Sequence, residues 1–311
     1  MKVFVTGANG QLGHDVIHEL IKREHVAIGS DIVIGGDFTY DLPVYPSGGT
    51  AILPPSFVQL DITNAENVMS AIVSTQPDAV IHCAAWTAVD AAEDEENIPK
   101  VRAINIDGTQ HIADACKAVG CKMMYISTDY VFDGQGTEPW QPDCKDFKPL
   151  NVYGQTKLEG ELAVANTLEE YFIVRIAWVF GKNGKNFIKT ILNIGKTRDT
   201  VRVVNDQIGT PTYTYDLARL LVDMVETDMY GYYHATNEGG FISWYDFCCE
   251  IYRQAGMDTK VIPVTTVEYG LNKAARPFNS RMDKSKLVEN GFVLLPGWQD
   301  AVSRYLVDAI M

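Results

Sequence analysis

Several absences narrow the function classes open to this 311-residue chain. It has no basic stripe. Its 26 lysines and arginines stand against 40 aspartates and glutamates, a formal net charge of -14, whereas a chain that binds phosphate backbones needs clustered positive charge. That excludes a nucleic-acid partner. No stretch approaches the roughly 20 apolar residues of a bilayer span. Met1-Lys2-Val3-Phe4-Val5-Thr6-Gly7 runs straight into a strand-like sequence, without a basic segment followed by a long apolar one. Neither a membrane span nor a secretory signal is therefore expected. The six cysteines (Cys83, Cys116, Cys121, Cys144, Cys248, Cys249) form no CxxC pair, and most lie in apolar segments. They read as reduced, structural thiols of a cytoplasmic protein, with neither a disulfide framework nor a zinc site. Internal repeats and low-complexity segments are also missing. What is present, 46% hydrophobic and 21% charged residues, is the balance of an ordinary globular protein. The length admits one large α/β domain with an appendage, or two domains.

The apolar run at residues 2–6 meets Gly7-Ala8-Asn9-Gly10-Gln11-Leu12-Gly13, which opens a helical pattern at Val16, Ile17, Leu20 and Ile21. Strand, glycine turn and helix in that order aim backbone N–H groups and the positive end of a helix at a pyrophosphate. The spacing is GxxGxxG, and its place at the start of a βα unit favours dinucleotide binding over a plain tight turn. A second run, Val26-Ala27-Ile28-Gly29-Ser30, ends at Asp31, 18 positions after Gly13. A carboxylate there accepts hydrogen bonds from the adenosine ribose and repels a 2′-phosphate, a mild lean toward NADH over NADPH; capping of a turn is the other reading. Residues 35–56, rich in Gly, Pro and Ser, read as a long flap near the adenosine end.

Asp61-Ile62 follows the strand expected at Phe57-Val58-Gln59-Leu60, and Thr63 and Asn64 offer caps for a helix through Val68 and Ile72. Ala79–Ala85 is apolar enough to be buried on both faces of a parallel sheet. Its small pair Ala84-Ala85 admits a cofactor or simply tight packing, and His82 reads as a core histidine. The acidic stretch Asp90, Glu93, Asp94, Glu95, Glu96 reads as a solvated face. A helix is expected over Val101 to Val119, with Asn105 inside it. Thr128 then stands at the carboxyl end of a central strand, where open α/β sheets bind ligands. Asn151 caps a helix carrying Tyr153 and Lys157 one turn apart on one face, so a phenol and an ammonium can address one site. A cation there favours phenolate and draws the tyrosine toward the working range. A further strand follows at residues 171–175, and from about 181 the elements shorten and aromatics multiply. The expected architecture is α/β: a Rossmann-type, doubly wound parallel sheet over residues 1–180. A smaller C-terminal substrate-binding lobe covers residues 181–311, from which some segments return to the sheet.

Taken together, Val5–Gly13, Leu60-Asp61-Ile62-Thr63, Ala84-Ala85-Trp86-Thr87-Ala88-Val89-Asp90, Ser127-Thr128-Asp129-Tyr130-Val131-Phe132-Asp133-Gly134, Tyr153–Glu161, Asp206–Thr212 and Ala275-Arg276-Pro277-Phe278-Asn279-Ser280 resemble the extended short-chain dehydrogenase/reductases. Within them, the chain is similar to the dTDP-4-dehydrorhamnose reductases over nearly its whole length. The glycine turn and YxxxK specify only the superfamily; the STDYVFDG stretch and the Arg276–Ser280 segment point to this group. The resemblance implies reduction by NADPH or NADH of the C4 ketone of a dTDP-4-dehydro-6-deoxy sugar. It implies Thr128, Tyr153 and Lys157 as catalytic residues. Gly7, Asn9, Gly10, Gln11, Leu12, Gly13, Asp31, Asp61, Ile62, Ala84, Ala85 and Thr87 would hold the cofactor together with Tyr153 and Lys157. Val89, Asn105, Thr128, Trp178 and Arg276 would meet the sugar nucleotide. Some relatives dimerise through a Mg²⁺ held by glutamates, so a homodimer is an expectation, but Asp15 follows Gly13-His14 here and no metal is carried over. Two rival readings stand beside this one. A nucleotide-sugar 4,6-dehydratase or epimerase would share the fold, but dehydratases place an Asp-Glu pair after the threonine, where this chain has Asp129-Tyr130. A non-catalytic, reductase-like regulatory subunit would have no need of the intact triad.

Overall fold

The computed structural model describes residues 1–33 and 56–310, so the expected flap lies outside the described residues except for its last position. The chain alternates strand and helix: β1 (Lys2–Thr6), α1 (Gln11–Lys22), β2 (Val26–Asp31), β3 (Ser56–Gln59), α2 (Ala65–Thr75) and β4 (Ala79–His82). Helices α3 (Ile98–Arg102) and α4 (Gly108–Val119) are joined by a π-helical turn, Ala103–Asp107. Then come β5 (Lys122–Thr128), α5 (Val152–Thr167) and β6 (Tyr171–Ile176). The second half holds β7 (Val179–Phe180), α6 (Phe187–Gly195), β8 (Thr200–Val204), β9 (Ile208–Gly209), β10 (Thr212–Tyr213), α7 (Thr214–Val225), β11 (Gly231–His234) and, after two short strands, α8 (Trp244–Ala255).

Seven strands pair in the order β11-β6-β5-β4-β1-β2-β3, all parallel. The continuous apolar runs occupy the middle of this sheet. Val3, Phe4, Val5, Ala79, Val80 and Ile81 are fully buried because helices cover both faces. The order reverses between β1 and β4, and at such a switch point the loops diverge and leave a crevice. Asn64, rather than Thr63, caps α2, its side chain accepting from the Asn67 N–H at 3.0 Å.

The second half is not one separate lobe. Helix α7 packs against α1, and β11 adds a seventh strand beside β6, so residues 214–234 belong to the Rossmann layers. The cover is built from α6, α8 and the last helix, Trp298–Ile310, around a second core of Phe180, Tyr213, Phe247, Trp298 and Tyr305. The acidic stretch does more than face solvent. Asp90 accepts from the backbone N–H groups of Lys273 and Ala274, both at 3.0 Å, and from Arg276 at 2.7 Å. Glu93 accepts from the Val152 N–H at 2.7 Å, where α5 begins. These carboxylates pin the C-terminal segment and α5 to the sheet domain.

Helix α5 is held by a fully buried ion pair. Arg175 of β6 donates to both oxygens of Glu161 at 2.8 and 2.7 Å and to the Pro142 carbonyl at 3.0 Å, with Phe132 and Tyr232 rings over its guanidinium. Bidentate geometry and a third acceptor satisfy a charge that would otherwise be prohibitive to bury. Arg175→Met alone should cost about 3–5 kcal/mol of unfolding free energy by urea denaturation, because it strands a buried carboxylate. The double replacement Arg175→Met with Glu161→Leu should recover most of that loss. A single variant within 1 kcal/mol of the parent would contradict this account.

Candidate active site

The crevice at the switch point is a cleft of about 730 Å³, within the range that takes a cofactor and substrate. Its floor is the glycine turn. Gly7 adopts a φ of +65°, and a Cβ there would fall 2.7 Å from the Ala84 backbone nitrogen; one on Gly13 would fall 2.2 Å from the Gly7 carbonyl oxygen. Only hydrogen fits at either position, so β1, the strand end after β4 and α1 close up around the turn. Gly10 is the N-cap of α1 and supplies no side-chain cap, which leaves first-turn N–H groups for an anion. A pyrophosphate fits that cradle on geometry and charge alike.

Gly7, Gly10, Gln11, Leu12, Gly13, Asp31, Asp61, Ile62, Ala84, Ala85 and Thr87 all line the cleft. Asn9 does not. It ties the turn to β2, its backbone N–H donating to Asp31 Oδ2 at 3.0 Å and its side chain to the Val33 carbonyl at 2.7 Å. Asp31 is thereby fixed at the strand end, its other oxygen accepting from the Ile32 N–H at 2.8 Å. Asp61 orients the following turn by accepting from the Thr63 N–H and hydroxyl at 2.9 and 2.7 Å.

At the other end of the cleft Thr128, Tyr153 and Lys157 meet, with Val89 and Trp178 nearby. Asn151 caps α5 by accepting from the Gly154 N–H at 2.7 Å, and Gly154 is small because a Cβ there would lie 2.4 Å from the Tyr130 carbonyl oxygen. That close approach brings the first turn of α5 against the end of β5. The Thr128 hydroxyl lies close enough to the Tyr153 phenol to favour its ionised form. Loss of water around the phenol raises its pKa above the ordinary value, against the expectation of a lowered one. The cause lies in where the cation sits: Lys157 Nζ donates to the Ile126 carbonyl at 2.7 Å and lies 4.0 Å from the centre of the Tyr125 ring. Burial lowers the Lys157 pKa to about 7, although Glu161 and Cys83 oppose the shift. The site therefore holds a protonated phenol beside an ammonium that titrates near neutrality.

Two other expected contacts sit outside the cleft lining. Asn105, in the π-turn, is buried. It accepts from the Trp86 N–H at 2.8 Å and donates to the Thr156 hydroxyl at 3.1 Å, so it braces the loop after β4 against α5. Arg276 is paired with Asp90. His82 is the core histidine the sequence suggests, flanked by the Thr6 and Thr109 hydroxyls at 2.6 and 3.2 Å, and burial lowers its pKa to about 3. Asp15, at the position after His14, accepts from the Thr214 hydroxyl at 2.5 Å.

Lys100, Asp129, Tyr130 and Lys185, none of which the sequence marks as a ligand, also line the cleft, and Trp244 stands behind it. Trp244 stacks on Trp178 with ring centres 3.9 Å apart, and Trp178 itself has a φ of +51°, an uncommon conformation for a bulky residue.

Comparison with known proteins agrees with this geometry. The RmlD substrate binding domain family matches residues 1–311. A dTDP-4-dehydrorhamnose reductase of Streptomyces griseus is 38% identical over 305 residues, 96% of this chain and 91% of the relative. The crystal structure of a dTDP-4-dehydrorhamnose reductase from Clostridium acetobutylicum superposes with a TM-score of 0.87 at 38% identity, covering 100% of both chains. That of the Bacillus anthracis enzyme, in complex with NADP, gives 0.84 at 38% identity over 99% of this chain and 100% of the other. The chain belongs to the RmlD substrate binding domain family, the family of the dTDP-4-dehydrorhamnose reductases.

Proposed function

We propose that the chain reduces the C4 ketone of dTDP-4-dehydro-6-deoxy-L-mannose to dTDP-L-rhamnose, with NADPH or NADH as reductant. The observation that carries this reading is the convergence of a protonated phenol, a hydroxyl and an ammonium at one end of a cleft whose other end is a pyrophosphate cradle. The bound nicotinamide supplies the hydride. Tyr153 gives its proton to the developing C4 alkoxide, and a raised pKa serves that role because the phenol must arrive protonated. Thr128 hydrogen-bonds the same oxygen, and Lys157 would bring positive charge to the cofactor ribose. Val89 and Trp178 flank the sugar, while Asn105 and Arg276 act one step back by holding the loops that shape its pocket.

A dehydratase needs a second carboxylate after Asp129, and Tyr130 occupies that place. A scaffold without chemistry has no use for a buried lysine that titrates near 7. Free cysteines, and no helix among the described residues long and apolar enough to cross a membrane, suit a cytoplasmic enzyme. A homodimer is the assembly we expect.

Two tests follow from the geometry. Tyr153→Phe should lower kcat by roughly 10²–10⁴-fold, followed as loss of NAD(P)H absorbance with the 4-keto sugar nucleotide. A rate within threefold of the parent would remove Tyr153 as the acid. At the adenosine end, Asp31→Ala should shift the ratio of NADPH to NADH affinity toward NADPH by about tenfold or more, because the carboxylate repels a 2′-phosphate. Fluorescence titration with each reduced cofactor reads this directly, and an unchanged ratio would show that Asp31 does not discriminate.

A further inference from the structure

The cleft wall holds an ionisable group that the reaction above leaves unused. Asp129, the residue after β5, is 2% exposed and lines the cleft next to Thr128. Its Oδ1 accepts the Thr128 hydroxyl at 3.0 Å, and its Oδ2 accepts the Ser280 hydroxyl at 2.5 Å. Ser280 belongs to the C-terminal segment and is fixed by its backbone N–H donating to the Ile208 carbonyl at 2.8 Å. Among the described residues no cation pairs with this carboxylate.

The Thr128 hydroxyl has a single proton. Its oxygen also accepts from the Tyr130 N–H at 3.3 Å and faces the Tyr153 phenol, close enough to shift its pKa. While that proton lies on Asp129, Thr128 cannot donate to an oxygen in the cleft, and its lone pair attracts the very proton Tyr153 has to deliver.

We propose that Asp129 is a positioning residue that chooses the direction of the Thr128 hydroxyl, and that its neutral form is the faster one in ketone reduction. Ionised, it draws the Thr128 proton away from the reacting oxygen. Protonated, its carboxyl O–H donates to Thr128, and the Thr128 and Tyr153 protons are both released toward the cleft. This rests on reading Thr128 and Tyr153 as the pair that meets the ketone oxygen. Burial raises the Asp129 pKa to about 6, while the bonds from Ser280 and Thr128 hold it down. The neighbouring phenols of Tyr130 and Tyr153 are pushed up by burial and stay neutral across this range. Lys157 on α5 titrates near 7, and Arg276 and Asp90 pair with each other beyond Tyr130.

The test is the pH dependence of kcat/KM from pH 5 to 8, which reports groups of the free enzyme. The parent should lose several-fold in kcat/KM as pH rises through about 6, before a second decline from Lys157 near 7. Asp129→Asn, whose amide N–H can donate to Thr128 as the carboxyl O–H would, should stay within about threefold of the parent at pH 5. It should lack the first decline and keep the second. Ser280→Ala removes a bond that favours the carboxylate, so it should move the first decline to higher pH; it also carries the test if Asp129→Asn does not fold. The proposal is overturned if Asp129→Asn keeps the parent's first decline, if folded Asp129→Asn is more than tenfold slower than the parent at pH 5, or if Ser280→Ala leaves the decline in place. Full turnover by Tyr153→Phe would instead overturn the reading beneath it.

Discussion

The structure depends on the way α5 is locked to the sheet. Tyr153 and Lys157 reach the cleft only if the first two turns of this helix press against β5, and three bonds along its length enforce that. Asn151 caps it, Lys157 is fixed on the Ile126 carbonyl, and Glu161, one turn further, is clamped by Arg175 of β6. A buried ion pair contributes little net stability compared with apolar residues of the same shape, but it tolerates only one geometry. Its value here is positional. The Lys157 ammonium is the costly member: holding it in a site where its pKa falls to about 7 costs on the order of 5 kcal/mol against the same charge in water. Such a cost is expected where a charge serves chemistry.

The two ends of the cleft solve different electrostatic problems. At the glycine turn the backbone itself provides the positive potential, and the missing Cβ atoms of Gly7 and Gly13 let β1, α1 and the Ala84 segment come together closely enough to present it. At the other end, side chains are desolvated against one another, so each proton's position is decided by hydrogen bonds as well as by distance to charge. Tyr153 is the clearest instance. A nearby lysine suggests a lowered pKa, but the ammonium is engaged by a carbonyl and a ring, and burial prevails.

Much of this was legible in the residues. The apolar run before Gly7, the i,i+4 spacing of Tyr153 and Lys157, and Thr128 at a strand end follow from short-range rules, and the sheet places them where those rules lead. What escaped notice depends on contacts between residues far apart in the chain. Asn105 and Arg276, which the resemblance assigns to the substrate, are also bound by partners 19 and 186 positions away in the chain. The acidic stretch looks solvated because Lys273 to Arg276 are distant in sequence. No local pattern marks Asp129 as buried, since Ser280 reaches it from 151 positions on. A return of C-terminal segments to the sheet is expected from the sequence, but not that residues 214–234 make it, because a short strand beside β6 has no signal of its own.

The central claim is that this cleft delivers a hydride to a sugar ketone while Tyr153 supplies the proton. Turnover of the 4-keto sugar nucleotide with NADPH and with NADH, each deuterated at the transferring position of the nicotinamide ring, followed by mass and NMR analysis of the product sugar, tests it most directly. The account predicts one deuterium, bonded to C4, in a product that carries a hydroxyl there. Product without deuterium at C4, or no product from the folded chain, would contradict it.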